Sequence, residues 1–219
     1  MKTDAELQKD VQDAIQWEPL LHAAEIGVTV KDGIVTLAGT VDSYSKKMEA
    51  EDAAKNVAGV IAVVEKIEVK YFSSLAKMDD NEIASEVVNA FKYNLRVPSD
   101  KLKVKVEKGW VTLGGEVQWN YQREAAKDTI KNLLGVMGVT NNIKIKSETE
   151  AQIEKTDIEN AIRRNYFINN KNIAVKVSGH DATLTGKVDS LHQKKEAERM
   201  AWNAPGVSAI HNELVVEYK

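Results

Sequence analysis

Residues 28–41 read Val-Thr-Val-Lys-Asp-Gly-Ile-Val-Thr-Leu-Ala-Gly-Thr-Val, and the same pattern returns at 104–117 and, more worn, at 175–188. The offsets are 76 and 71 residues, and blocks 11–69, 87–145 and 158–216 then align without a gap. Internal repetition of this kind decides architecture before any propensity argument does. A unit of about 70 residues is near the lower size limit for an independent core, and it is longer than common solenoid repeats. The chain is therefore expected to form three small domains, at 1–70, 79–146 and 150–219. The first linker, around 71–79, is the longer. The second, around 146–150, is expected to hold repeats two and three closer together.

Each repeat predicts the order αββαβ. Leu7, Val11, Ala14 and Ile15 recur at helical spacing, as do Ile83, Val87, Ala90 and Phe91, with Asp4 and Asp80 as expected N-caps. Repeat three keeps Ile158, Ala161 and Ile162, but Ile153 falls one position off register. A period-two strand follows (Ile26, Val28, Val30 and their counterparts), then a turn at Asp32-Gly33 or Lys108-Gly109, then a second strand with Val35, Leu37 and Val41 on one face. This reads as an antiparallel hairpin. Gly39, Gly115 and Gly186 lie inside that second strand, where a helix crossing tightly is the expected reason for a missing side chain. Ser43, Ser190 and Asn120 are expected to cap a second helix, which Gly59, Gly135 and Gly206 end. A last strand runs through Val63, Ile67 and Val69 and their counterparts. The fold class is α+β: three tandem αββαβ domains, each a three-stranded mixed sheet with two helices on one face.

Several dispersed elements carry a family likeness: Asp-x-x-Leu near the start of helix one, the Ile-x-Val-x-Val strand, the Gly-x-Val-Thr-Leu-x-Gly-x-Val strand, and the Gly-Val before the last strand. The pattern resembles the BON domain, a bacterial module named for osmotic-stress and nodulation proteins. The resemblance covers nearly the whole chain, three times over. Repeat three departs from it at His180 and Ala182. It implies an αββαβ fold and no known catalytic activity. It further implies envelope association, phospholipid binding and support of envelope integrity under osmotic stress in many members, and a potassium-responsive cytoplasmic type in others.

Composition excludes several classes. There is no cysteine, hence no disulfide and no thiolate metal site. The four histidines, His22, His180, His192 and His211, share no ligand spacing, and no metal or cofactor is expected. No phosphate loop, nucleophile elbow or dinucleotide fingerprint occurs, so no catalytic residue is assigned and the chain is expected to be non-enzymatic. Apolar runs stop well short of a membrane span, and the start lacks a signal-peptide core. The chain as written is expected in the cytoplasm; a leader ahead of it would place it in the periplasm. Net charge is −3, unevenly spread. Lys and Arg number 8 against 13 Asp and Glu over 1–72, 12 against 9 over 73–147, and 10 against 11 over 148–219, which makes the middle repeat the basic one. No copy is basic enough to imply nucleic acid.

Strand alternation sends one set of side chains to the helices and the other outward. In the middle repeat the outward set includes Lys103, Lys105, Trp110, Thr112, Lys144 and Lys146. This cationic face with one Trp suits an anionic headgroup or another acidic partner, and Lys103, Lys105, Trp110, Lys144 and Lys146 are the candidate ligand-binding residues. The plain alternative is a solvated face kept free of edge pairing by its lysines. The matching face of repeat one, with Ile34, Thr36, Ala38, Val64 and Lys66, is more apolar and suits docking against a neighbouring repeat. Trp17 and Tyr93 end helix one in their repeats; they are expected as lids over a small core, with interfacial lipid anchors as the other reading. Trp119 and Trp202 are expected in local packing or domain contacts. Asn56, Asn132 and Asn203 are expected to bond local backbone, with ion coordination as the sharper alternative. Two functional expectations result: weak multivalent binding to an anionic phospholipid surface, or a soluble protein-interaction or ion-sensing module. Oligomeric state is left open.

Overall fold

The computed structural model describes residues 2–21, 26–71, 78–146, 153–165, 168 and 173–217. His22 and most of both linkers lie outside the described residues. Repeat one contains α1 (Asp4–Gln16), β1 (Ile26–Lys31), β2 (Ile34–Val41), α2 (Tyr44–Asn56) and β3 (Ala62–Val69). Repeat two contains α3 (Asp80–Tyr93), β4 (Leu102–Glu107), β5 (Trp110–Val117), α4 (Asn120–Ile130), β6 (Gly138–Asn141) and β7 (Lys144–Ile145). Repeat three contains α5 (Lys155–Arg164), β8 (Ile173–Ser178), β9 (Asp181–Val188), α6 (Leu191–Trp202) and β10 (Ala209–Val216). The architecture is α+β, with a mixed sheet and two helices in each repeat.

In every sheet the second strand is central. It pairs antiparallel with the first strand through the hairpin and parallel with the last; β5–β6 and β9–β10 register residue for residue in this way. In repeat two the last strand is interrupted after Asn141 and resumes as β7, still on β5. The central strands bury alternate residues: Val35 and Leu37, Val111 and Leu113, Ala182 and Leu184 are fully buried, while Ile34, Trp110 and Asp181 face out. One side of each first helix (Leu7, Val11, Ile15; Ile83, Val87, Phe91; Ile158, Ile162) supplies the rest of each interior. Ala50, Ala126 and Ala197 are fully buried on the second helices, and such small side chains let a helix lie close to a sheet. Ile153 is buried ahead of α5 rather than within it, so the shifted register of repeat three shortens that helix to 10 residues.

The chain forms two compact units. One comprises Met1–Thr40, Met48–Glu68 and Thr149–Lys219 and so joins repeat three to most of repeat one. Inside it the Gly59 amide donates to the Asp189 carbonyl at 3.1 Å, and Lys195 meets Asp52 at 3.3 Å. The other comprises Val41–Lys47 and Val69–Glu148. There the Tyr71 hydroxyl donates to the Val136 carbonyl at 3.0 Å. Burial raises the Tyr71 phenol above its ordinary value near 10.0, and the Asp42 carboxylate adds to the effect.

Three local expectations are corrected. Asp4 and Asp80 are not N-caps: Thr3 and Asp79 cap α1 and α3, each in a reciprocal box with the Glu at the third helical position. Asp4 instead accepts from the turn amides of Asp32 and Gly33 at 2.9 and 3.2 Å, and Asp80 from those of Lys108 and Gly109 at 2.8 Å each. A carboxylate at the first helical residue thus pins the hairpin turn to the helix start. Both central turn residues have positive φ in repeats one and two (51° and 74°; 50° and 74°), as a type I′ turn requires, whereas repeat three has it only at Gly179 (61°), as in type II′. Asn120 does not cap α4: it is the first helical residue, buried, and its Oδ1 has no partner among the described residues. Ser43 and Ser190 do accept from amides three residues on.

The third correction concerns the strand glycine. Gly115 sits at φ 121°, opposite Leu102, and a Cβ there would strike the Lys101 carbonyl oxygen. Backbone entering the hairpin, not a crossing helix, excludes a side chain. Gly39 and Gly186 occupy the same register opposite Ile26 and Ile173. A tie not expected from sequence fastens the second helix to the last strand. Asn141 Nδ2 donates to the Arg123 carbonyl and Asn212 Nδ2 to the Lys194 carbonyl, both at 2.9 Å, while their Oδ1 atoms accept from the amides of Ile143 and Leu214.

Gly115→Ala is expected to destabilise the unit containing repeat two by about 2 kcal/mol or more in urea unfolding, through both strain and collision. Gly114→Ala, with open space around its Cβ, is expected to be near neutral. The Tyr71 shift also has a defined sign. The unfolded chain ionises first, so its stability contribution is intact below pH 10 and declines as pH rises past that value toward the folded pKa. Thermal melts across that range are expected to fall for the native chain and to fall less for Tyr71→Phe.

Candidate functional site: the outer sheet face of the middle repeat

Because helices cover one face of each sheet, the second set of strand side chains remains accessible. In repeat two Lys103, Lys105, Trp110, Lys144 and Lys146 are all exposed, and Thr112 is half-buried among them. The alternation from Lys103 to Lys105 on β4 places them on the same face as Trp110 and Thr112 on β5.

The five candidates divide into two groups. Trp110 lies across the strand pair: its Nε1 donates to Thr140 Oγ1 at 2.8 Å, and a Cβ on Gly138 would come within 2.5 Å of its ring. The indole is therefore laid flat over the backbone of β6, with one side and an edge to solvent. Lys105, nearby in register, is paired with Glu107 at 3.0 Å. At the other end of the sheet, Lys103, Lys144 and Lys146 line an open cleft of about 610 Å³ with Lys101, Glu116 and Asn142. Lys146 lies 3.7 Å from Glu116. Lys101, Lys103 and Lys144 have no carboxylate partner among the described residues. Gly115 belongs to the lining, and Gly114, which pairs with Lys103, has open space where a Cβ would stand.

Lys101 is the residue sequence reasoning missed. It precedes β4 in a short 3-10 turn, Ser99–Lys101, and so stood outside the strand as read. The i, i+2 series Lys101, Lys103, Lys105 was the available signal. The break between β6 and β7 beside the cleft had no such signal.

Other proposed positions behave differently from expectation. Trp17 and Tyr93 are 90% and 89% exposed, so neither closes a core. The side chains of Asn56, Asn132 and Asn203 are exposed and make no hydrogen bond among the described residues, so they do not bond local backbone. Asn56 instead borders a groove between the helices with Ala14 and Trp17, and Asn203 borders the matching groove with Ala161 and Arg164. In repeat two a bond from Asn94 Nδ2 to Thr129 Oγ1, 2.8 Å, links the two helices. Trp202 is buried in local packing. The outer face of repeat one leaves Ile34, Ala38, Val64 and Lys66 exposed. Among the described residues no group of three His, Asp or Glu side chains is placed to hold a metal ion, and no helix is long and apolar enough to cross a membrane.

The fold and this face define a class: small αββαβ modules, repeated in tandem, each presenting an open sheet. The BON domain family model matches residues 3–71, 79–147 and 150–218, and the chain belongs to that family. Osmotically-inducible protein Y of Escherichia coli (strain K12) is 31% identical over 146 residues, covering 65% of this chain and 73% of that protein. Among solved structures, the C-terminal domain of CdsD, a structural protein of the type III secretion system of Chlamydia trachomatis, aligns over 99% of this chain and 100% of that one, at 15% identity and a TM-score of 0.25. A second CdsD structure covers 95% and 91% at 15% identity and a TM-score of 0.24. Likeness at those scores carries no argument about arrangement or function.

Proposed function

We propose that this chain is a non-enzymatic osmotic-stress protein whose middle repeat adheres weakly to anionic phospholipid surfaces. Family membership and the osmotically inducible relative support the stress role. The adhesion reading rests on one observation: exposed lysines on the open sheet face of repeat two, three of them without acidic partners among the described residues. Each lysine near a negatively charged leaflet contributes about 1 kcal/mol, an attraction that fades within a Debye length. The cleft lysines together give weak, salt-sensitive attachment. Trp110, flat and half-exposed beside them, adds an amphipathic ring suited to the headgroup layer. Tandem repeats raise the effective strength wherever more than one module engages the same surface.

Vesicle flotation is the test. The chain is expected to float with vesicles containing about one third phosphatidylglycerol at low salt, to be released at about 0.5 M salt, and to ignore pure phosphatidylcholine. The double variant Lys103→Gln, Lys144→Gln is expected to weaken retention by roughly 25-fold, two lysines at about fivefold each. Absence of retention on the anionic vesicles at low salt rejects the reading.

A further inference from the structure

Resting on that adhesion reading, we propose that the cleft at the Gly114–Gly115 end of the face is a binding site for a terminal phosphate dianion, such as a phosphomonoester headgroup or free phosphate. The three repeats act as internal controls. At the positions of Lys101, Lys103, Lys144 and Lys146, repeat one has Glu25, Gly27, Glu68 and Lys70, and repeat three has Asn172, Ala174, Val215 and Glu217. The same fold is thus built twice without this cluster, so folding does not call for it.

One member has a structural partner. Lys146 faces Glu116, and repeat three keeps the same cross-strand pair with the charges exchanged, Lys187 to Glu217 at 2.7 Å. Lys101, Lys103 and Lys144 have no such compensation among the described residues. Like charges gathered at one cleft repel, and a dianion relieves that repulsion. The Asn142 side chain lines the same cleft and makes no hydrogen bond among the described residues, so its amide can donate beside the cations. Glu116 is the one carboxylate in the lining, and it lies toward Lys146.

Shape supports charge. Gly114 stands where repeat one has Ala38 and repeat three has Thr185. Its missing side chain leaves open space above the central strand between the first and last strands. Asn142 lies exposed at the rim, between β6 and β7. A terminal phosphate reaches this cleft with three oxygens free, where a diester is flanked by two substituents.

Gly114→Val tests the site without altering charge: it puts a strand-compatible side chain into the open space beside Lys103. Inorganic phosphate, titrated at constant ionic strength, is expected to shift the amide resonances of Lys103, Gly114, Gly115 and Lys144 in the native chain and to leave them unmoved in the variant. Phosphatidic acid vesicles are expected to retain the native chain about fivefold better than phosphatidylglycerol vesicles of equal surface charge, and Gly114→Val is expected to equalise the two. Lys101→Gln, Lys103→Gln serves as a second variant with an undisturbed backbone and is expected to lose the phosphate response. Phosphate shifts spread over lysines of all repeats, or unchanged in both variants, overturn the site. Equal retention on both lipids, insensitive to Gly114→Val, removes the site while leaving adhesion standing. Phosphate shifts at the cleft with no flotation on either lipid support the site with free phosphate as ligand and remove adhesion instead.

Discussion

The second strand of each repeat is hydrogen-bonded on both edges, and every other feature follows from that. Being central, it cannot shift by one residue without moving its apolar set to the solvent side and breaking two ladders at once. Val111 and Leu113 go inward under the helices, so Trp110, Thr112 and Gly114 must go outward. The outer face is a geometric by-product of building the interior. Evolution of one copy can load that face with charge at little cost to the core, and the middle repeat shows the result.

The two edges of that strand are secured by different means. On the hairpin side, a carboxylate from the first helix grips the turn amides, and the strand glycine lets the chain entering the hairpin pass close over the ladder. On the parallel side, where no short turn joins the strands, an asparagine links the last strand to the second helix in repeats two and three. Repeat three lacks a described counterpart of the turn clamp, and there His180 Nδ1 meets the Gly206 carbonyl at 2.8 Å instead. The helix-ending turn thus takes over the anchoring of the hairpin, which fits the change from a two-residue left-handed turn to one left-handed residue.

Much of the candidate face was legible because β-strand periodicity is two and local: Lys103, Lys105, Trp110, Lys144 and Lys146 all point outward as their spacing requires. The errors concern atoms brought together from distant parts of the chain. Asp80 looks like a cap because it stands at a helix start, yet its partners are 28 and 29 residues away. The strand glycine signals a close neighbour without naming it, and the neighbour is backbone. Trp17 and Tyr93 look like lids because aromatic rings usually seek cover, yet the helix end on which they stand projects them outward.

Repetition, apolar alternation and the absence of cysteine and catalytic patterns were enough to establish three αββαβ modules and to mark the middle one as cationic. Those properties are local or periodic, and a linear chain displays them directly. Which lysines share a cleft, which of them are neutralised, and that Lys101 joins them depend on strand register. Such facts arise from pairing between residues far apart in the chain, where the energy of the assembled sheet, not the preference of any one segment, selects the outcome.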